Sequence, residues 1–214
     1  MGGWTVRIAI IGAGSVGGTL AIGWSGCGHQ VRLGVRNPAD PKVQALLGKF
    51  ATPGVALPLA EAVADAPVVV LATPWDATLE VVRGLSLAGK VVIDTTNPLL
   101  PNLAGLGVGG ATSGAEEIAR AAPGARVVKC FNTTGANNFL APDYPEGAAT
   151  MLYAGDDPEA KAAVVELGRE LGFAMLDAGP LARARLLEPF AMLWITLAYP
   201  QGQGREIAWR LMRR

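Results

Sequence analysis

Three glycines near the amino terminus, Gly12, Gly14 and Gly17, stand at the spacing G-x-G-x-x-G, and that spacing implies a chemistry. The first permits a sharp turn from strand into helix. The second removes the Cβ that would hold a pyrophosphate off the backbone, and the third lets the helix pack closely on the strand. The unpaired N–H groups and positive end of a helix starting near Ser15 and Val16 then receive the negative charge. The spacing alone is weak, but its context is informative. Ile8 to Ile11 reads as a buried parallel strand, Gly18 to Trp24 continues as a helix, and Gln30 to Val35 is a second strand. These complete a βαβ unit of about 30 residues, the setting in which the glycines signify dinucleotide binding rather than a structural turn.

The end of that second strand decides which dinucleotide. A fold selective for NAD commonly places an Asp or Glu there to hold the ribose 2′-OH. This chain has Gly34-Val35-Arg36-Asn37-Pro38 instead. A guanidinium at Arg36 suits a 2′-phosphate, so the residues favour NADP(H), with Lys42 a weaker second candidate. The alternative is that Arg36 is a solvated loop cation.

Further along, neutral polar residues follow strand-like runs: Thr73-Pro74-Trp75 after Pro67–Ala72, Thr95-Thr96-Asn97-Pro98 after Lys90–Asp94, and Asn132-Thr133-Thr134 after Arg126–Phe131. In an open parallel sheet the loops at the carboxyl ends of strands line the ligand crevice, so Thr73, Pro74 and Trp75 are expected against the cofactor. Trp75 either walls the crevice or belongs to the core. The carboxamide of Asn97 can both donate to and accept from a nicotinamide carboxamide, although Asn before Pro98 is also a turn signal. The sole histidine, His29, falls between the first helix and second strand, away from the crevice, and cannot serve there as a general acid or base. No Ser/His or Cys/His pair and no metal-ligand cluster is evident. Such a pocket calls for no catalytic side chain: it aligns two flat ring systems for hydride transfer by proximity, with Lys129 and Glu188 the remaining acid or base candidates.

The elements that must position these residues alternate along the chain. Helices are expected over Pro58–Ala66, from Asp76 through Arg83 with Asp76 as cap, over Gly114–Ala121 with Ser113 as cap, and over Asp157–Leu171 capped at Asp156 or Asp157. Strands are expected at Thr150–Ala154 and Phe173–Asp177. The pattern is that of a Rossmann-like, doubly wound, mostly parallel α/β sheet of about eight strands. It spans 5–178, and 179–214 forms a small C-terminal helix-plus-strand extension completing the crevice. There Leu181–Tyr199 is apolar on nearly every face and must be covered, by the carboxyl edge of the sheet, by a second subunit, or by both. Ile207, Trp209 and Leu211 alternate with Ala208, Arg210 and Met212, which favours a closing strand over the alternative of a short helix. The glycine-rich stretch 102–114 reads as a surface loop able to gate a site.

Composition narrows the partners. Eighteen basic and eighteen acidic residues leave no net charge, which argues against nucleic acid or an anionic membrane as partner. No apolar run reaches the roughly 20 residues of a membrane span, so a cytoplasmic location is expected. Cys27 and Cys130, the two cysteines, read as buried free thiols rather than a disulfide or zinc site.

The segments IAIIGAGSVGG, GVRNP, VVVLATPWDA, VIDTTNP, VVKCFNTTGANNF and LDAGPLARARLLEPFAMLWITLA together resemble the NADPH-dependent reductases of the deazaflavin coenzyme F-420 and their dinucleotide-binding relatives, including the reductase domain of the Steap metalloreductases. The resemblance runs over almost the whole chain. The glycine motif is shared by many families, whereas the DAGPL…LEP segment and the TPW loop are far more specific. The resemblance implies NADP(H) with its nicotinamide in the crevice and hydride exchange with a deazaflavin or flavin stacked on it. It implies that Arg36 holds the 2′-phosphate and that Thr73 and Pro74 lie against the cofactor. Asn97-Pro98, Asn132-Thr133 and Gly179-Pro180-Leu181 would border the second ring. Ala13 and Val35 stand where such reductases often carry Thr and Ser, which weakens the hold on the 2′-phosphate.

The function so implied is an NADP-dependent oxidoreductase acting on a small-molecule redox acceptor, as a homodimer built on the apolar last helix. Two alternatives stand beside it. One is an imine or small-carbonyl reductase similar to pyrroline-carboxylate reductase, whose site needs a longer helical C-terminal domain. The other is a non-catalytic NADP(H) sensor.

Overall fold

Alternation within the apolar runs determines how the layers stack. A computed structural model describes residues 4–214. In it β1 (Arg7–Ile11), β2 (Gln30–Gly34), β3 (Val55–Leu57), β4 (Val68–Leu71), β5 (Val91–Asp94) and β6 (Arg126–Lys129) pair in parallel. Ile8, Ile10, Val68, Val70, Val91, Ile93 and Val128 point to one face. There they pack with Leu20 and Trp24 of α1 (Ser15–Gly26), Val43 of α2 (Pro41–Leu47), and Val164 and Leu167 of α6 (Pro158–Glu170). Ala9, Ile11, Val69, Leu71, Val92 and Val127 point to the other face. Their partners are Val63 of α3 (Leu59–Ala64), Val82 of α4 (Trp75–Arg83) and Ile118 of α5 (Gly114–Ala121). A period of two residues thus feeds two cores, one on each side of the sheet.

Between β6 and the last strands lies a small antiparallel hairpin, β7 (Asp143–Tyr144) and β8 (Gly147–Ala148). Then β9 (Thr150–Gly155) joins the main sheet antiparallel to β6, and β10 (Ala174–Asp177) runs parallel to β9. The eight-stranded sheet has the order β10-β9-β6-β5-β4-β1-β2-β3. Strand order reverses between β1 and β4, so the crevice of this doubly wound fold opens above their carboxyl ends. After β10 a single 3-10 turn (Leu181–Arg183) leads into α7 (Ala184–Ala198), which holds Pro189 within it.

Several local expectations need correction. Asp76 does not cap α4: Pro74 holds that position and Asp76 lies in the first turn. Cys27 is exposed, and only Cys130 is buried. The C-terminal segment forms no closing strand. The carbonyl of Ile207 accepts from Trp194 Nε1, Thr134 Oγ1 and Asn138 Nδ2. Hydrogen bonding to a strand is limited to Thr150, whose N–H donates to the Trp209 carbonyl and whose Oγ1 accepts from Leu211 N–H. Side chains have taken the backbone groups a ladder would need, and Trp209 is pinned by stacking on Phe190 at 4.5 Å between ring centroids. The caps at Ser113 and Asp157 form as expected, accepting from the N–H groups of Glu116 and Ala160.

Candidate functional site

The turn between β1 and α1 is held by the sheet itself. Gly12 has φ +106°, and its N–H donates to the Gly34 carbonyl at 3.1 Å. A Cβ there would stand 2.5 Å from the Ala72 carbonyl oxygen. A Cβ at Gly17 would overlap the Gly12 carbonyl oxygen, so the close helix–strand approach depends on that glycine. Gly14 differs from both. Its backbone (φ −76°, ψ −166°) suits any residue, and apart from its chain neighbours no atom of the described residues lies within 4 Å of where a Cβ would be. Nothing inside the chain requires glycine at position 14. Ser15 beside it is exposed and Val16 half-buried, at the open N-terminus of α1.

The structure brings most of the expected residues to the same edge. Arg36 and Asn37 leave β2 exposed, and among the described residues Arg36 has no ion-pair partner within 4.0 Å. Asn37 Oδ1 accepts from Ala39 N–H, fixing the turn before α2. Thr73 Oγ1 lies 2.9 Å from Thr78 Oγ1, which ties the loop after β4 to its own helix. Trp75 begins α4 and packs against Gly114 at the start of α5, so it joins the helical layer while Pro74 remains exposed. Asn97 and Asn132, at the ends of β5 and β6, clasp each other. Asn97 Nδ2 donates to the Asn132 carbonyl at 3.3 Å, and Asn132 Nδ2 donates to Asn97 Oδ1 at 3.0 Å and to the Leu187 carbonyl at 3.2 Å. Pro98 and Thr133 are buried beside them.

Pro180 and Leu181 do not join this group. Because β9 and β10 run opposite to β6, the chain leaving β10 heads toward the amino edge of the sheet. Leu181 is buried in the core with Ile118 and Val127, and Pro180 is exposed. The part of the C-terminal segment that reaches the strand ends is Leu187-Glu188, about two turns further on.

Glu188 belongs to a buried cluster that the sequence did not reveal as one. Asp94 and Lys129 are register partners at the last positions of β5 and β6, and Lys129 Nζ lies 2.9 Å from Asp94 Oδ2 and 3.0 Å from Glu188 Oε1. All three side chains are at most 1% exposed. The remaining oxygens are satisfied as well. Asp94 Oδ1 accepts from Thr96 N–H at 2.8 Å and Thr96 Oγ1 at 2.7 Å. Glu188 accepts from the first N–H groups of α5, Gly114 at 2.9 Å and Ala115 at 3.2 Å. Lys129 also donates to the Thr96 carbonyl. Burial alone would push the Lys129 pKa down, but the adjoining Asp94 and Glu188 charges outweigh it and raise the pKa above the ordinary lysine value. Lys129 is therefore a locked cation, unfit as a base at neutral pH. The formal charge of −1 on the triad faces the positive end of α5, which offsets part of it. Removing one member of such a cluster strands a buried charge, at a cost of about 3–5 kcal/mol. A usable signal was present: a lone Glu inside the greasy run LLEPFAML must find a cation or a helix N-terminus.

The expectation for His29 holds. It is buried at the amino end of β2, where Nδ1 accepts from Val6 N–H and Nε2 lies 2.6 Å from Glu170. Among the described residues no cluster of His, Cys, Asp and Glu could hold a metal ion, and no helix is long and apolar enough to cross a membrane.

Comparison with known proteins places this architecture. The sequence profile of the NADP oxidoreductases described as coenzyme F-420-dependent matches residues 7–98. A proposed F-420-dependent NADP reductase from Arthrobacter sp. FB24 superposes with a TM-score of 0.87 at 29% identity, covering 97% of this chain and 100% of that one. A hypothetical protein from Sinorhizobium meliloti superposes at 0.76 with 32% identity over 86% and 90% of the two chains. Metalloreductase STEAP3 from Rattus norvegicus is 32% identical over 185 residues, 85% of this chain. The chain belongs to the coenzyme F-420-dependent NADP oxidoreductase family and its dinucleotide-binding relatives. It spans 36% of the length of the rat metalloreductase. The family profile covers the glycine turn, the Arg36 turn, the Thr73 loop and the Asn97 loop, so four of the segments at the crevice fall within the matched region.

Proposed function

We propose that this oxidoreductase binds NADP(H) across the crevice between β1 and β4 and passes hydride between the nicotinamide and a deazaflavin (coenzyme F-420) or flavin ring. The observation that carries the reading is Gly14: the fold leaves its Cβ direction open and makes no demand for glycine there, which suits the close approach of a pyrophosphate. The first turn of α1 (Ser15, Val16, Gly17) offers backbone N–H donors to the phosphates. Arg36, exposed and without an ion-pair partner among the described residues, suits the 2′-phosphate, with Asn37 shaping its turn. Thr73, Pro74, Asn97 and Pro98 border the nicotinamide half, with Trp75 behind them in the helical layer, and Asn132 and Thr133 border the second ring. When bound, the dinucleotide supplies or accepts the hydride. The protein's part is to hold two rings in register and exclude water, with no side chain moving a proton. The locked state of Lys129 supports that division of labour.

The outer face of α7 supports a homodimer. Leu186 (62% exposed) and Leu193 (47% exposed) stand seven residues apart on one flank of the helix, about 100° round from the buried Leu187, Ala191 and Trp194. They form an apolar stripe that a second copy of the helix would cover. Sedimentation as a monomer at micromolar concentration would refute that part.

Following 340 nm absorbance while purified protein meets NADPH and, in turn, coenzyme F-420, FMN and FAD tests the hydride reading. Oxidation with a deazaflavin or flavin is expected. Tight NADPH binding with no oxidation by any of the three would favour a nucleotide sensor instead.

A further inference from the structure

The Asp94–Lys129–Glu188 cluster does more than fill space, because its bonds run directly into the two amides at the strand ends. Lys129 holds the Thr96 carbonyl and Asp94 holds the Thr96 N–H and Oγ1, so the residue preceding Asn97 is gripped at its backbone and its side chain. On the opposite wall Glu188 locks one turn of α7 onto the start of α5. The carbonyl of its neighbour Leu187 receives Asn132 Nδ2. Asn132 cannot flip, since turning its amide over would set Oδ1 against the oxygens of Asn97 and Leu187. Its Oδ1 is buried and meets no donor among the described residues, which is uncommon for a buried acceptor. The residue before it adds a second constraint. Phe131 adopts φ +56°, a left-handed conformation that a bulky side chain rarely takes. It is kept there by edge contacts with Trp24, Phe139 and Phe173 at 5.6–6.4 Å.

We infer that the triad is a positioning device: it docks the middle of α7 onto the ends of β5 and β6 so that the Asn97 and Asn132 amides keep one orientation and separation beside the reacting half of the crevice. Asp94, Lys129 and Glu188 are positioning residues, acting through those amides on ring alignment and not on the grip of the dinucleotide phosphates. This rests on the proposed NADP(H) reading. The phosphates belong at the β1–α1 turn, on the far side of β4 from the triad, so dinucleotide affinity and ring alignment should separate.

The test uses Glu188→Gln, which keeps the shape and leaves Lys129 paired with Asp94. A second variant, Asp94→Asn/Lys129→Met/Glu188→Gln, removes every charge of the cluster and guards against an unfolded single variant, since charge-free replacement of buried triads is commonly tolerated. Three readouts are taken: calorimetric Kd for NADPH, kcat and KM with the acceptor that the wild type uses, and NMR signals of the Asn97 and Asn132 side-chain amides in the ligand-free protein. The expected result is a Kd within about threefold of wild type, kcat lowered tenfold or more, and both amide signals moved and broadened. Unchanged amide signals, or a lowered melting temperature with kcat intact, would reduce the triad to a structural role and overturn the proposal. Failure of the wild type to bind NADPH would overturn the underlying reading instead. The amide signals would still report, without any cofactor, whether the triad orients Asn97 and Asn132.

Discussion

Gly14→Ala and Gly17→Ala, three residues apart in one motif, should fail in opposite ways. At Gly17 the new methyl overlaps the backbone oxygen of Gly12 and comes within 3.1 Å of Ala72 Cβ. Neither contact is with a side chain that can rotate away. Overpacking of this kind costs up to about 3 kcal/mol, and the better helix propensity of Ala returns about 1 kcal/mol. The net loss is roughly 2 kcal/mol, and for a chain of this length that lowers the melting temperature by about 4–8 °C. At Gly14 the methyl meets nothing within 4 Å, and φ −76° is ordinary for alanine. Alanine is a poorer N-cap than glycine by up to about 1 kcal/mol, and its smaller unfolded-state entropy returns about 0.4–1 kcal/mol, so the two nearly cancel. The ligand-free Gly14→Ala protein should therefore melt within about 2 °C of wild type. Its Kd for NADPH should nonetheless rise at least tenfold, about 1.4 kcal/mol, because the methyl occupies the pyrophosphate's approach. Thermal melts and titration calorimetry on the same samples read both quantities. Wild-type NADPH affinity in Gly14→Ala would refute the placement of the pyrophosphate at this turn. A melt depressed as far as that of Gly17→Ala would refute the claim that the fold does not need that glycine.

Arg36→Ala should weaken NADPH by about 1 to 3 kcal/mol and leave NADH nearly unchanged in the same titration, since only the former offers a 2′-phosphate to the guanidinium. In native protein an Ellman titration should register the exposed Cys27 alone, and slowly, because burial and the nearby Glu170 charge raise its pKa. Cys130, its thiol pushed far up by burial, should react only after denaturation. The bond from Arg185 holds the Glu116 carboxyl below its usual pKa. That stabilisation is present above the unfolded value of about 4.3 and is lost as pH falls through the lower folded value. The gap in melting temperature between wild type and Glu116→Gln should therefore close on acidification. Leu181→Ala should cost about 2–5 kcal/mol in denaturant unfolding, as a core deletion does, with NADPH affinity and acceptor KM unaltered.

What the sequence made legible was local. The glycine turn, the six inner strands and the caps at Ser113 and Asp157 each rest on residues within a few positions of one another, where spacing and turn chemistry suffice. The strand β3 escaped notice because three residues, Val55 to Leu57 between Pro53 and Pro58, show too little alternation to register. Its pairing with β2 supplies what its own residues lack. The triad escaped for a different reason. Asp94, Lys129 and Glu188 lie on separate elements, and only the parallel register of β5 against β6 sets the first two side by side.

The direction of β9 had the largest consequence. A buried strand carries the same apolar run whichever way it points, so nothing in TMLYAG distinguishes parallel from antiparallel entry beside β6. The family resemblance puts Pro180 and Leu181 beside the second ring, which requires the chain after β10 to emerge at the crevice. The reversal sends it to the opposite edge, and α7 must climb back past β6 to reach the strand ends. The approach along α5 explains two features of that helix. Arg185 can meet Glu116 on the way up, and Glu188, one turn later, arrives level with the first N–H groups of α5, where a carboxylate is most stabilised. The carbonyl of Leu187, beside it on α7, then accepts from Asn132 Nδ2, since a carbonyl oxygen within a helix keeps a second lone pair for another donor. The crevice wall is thus set by where the helix arrives, and its arrival is set by a charge rather than by the apolar pattern that first drew attention to it.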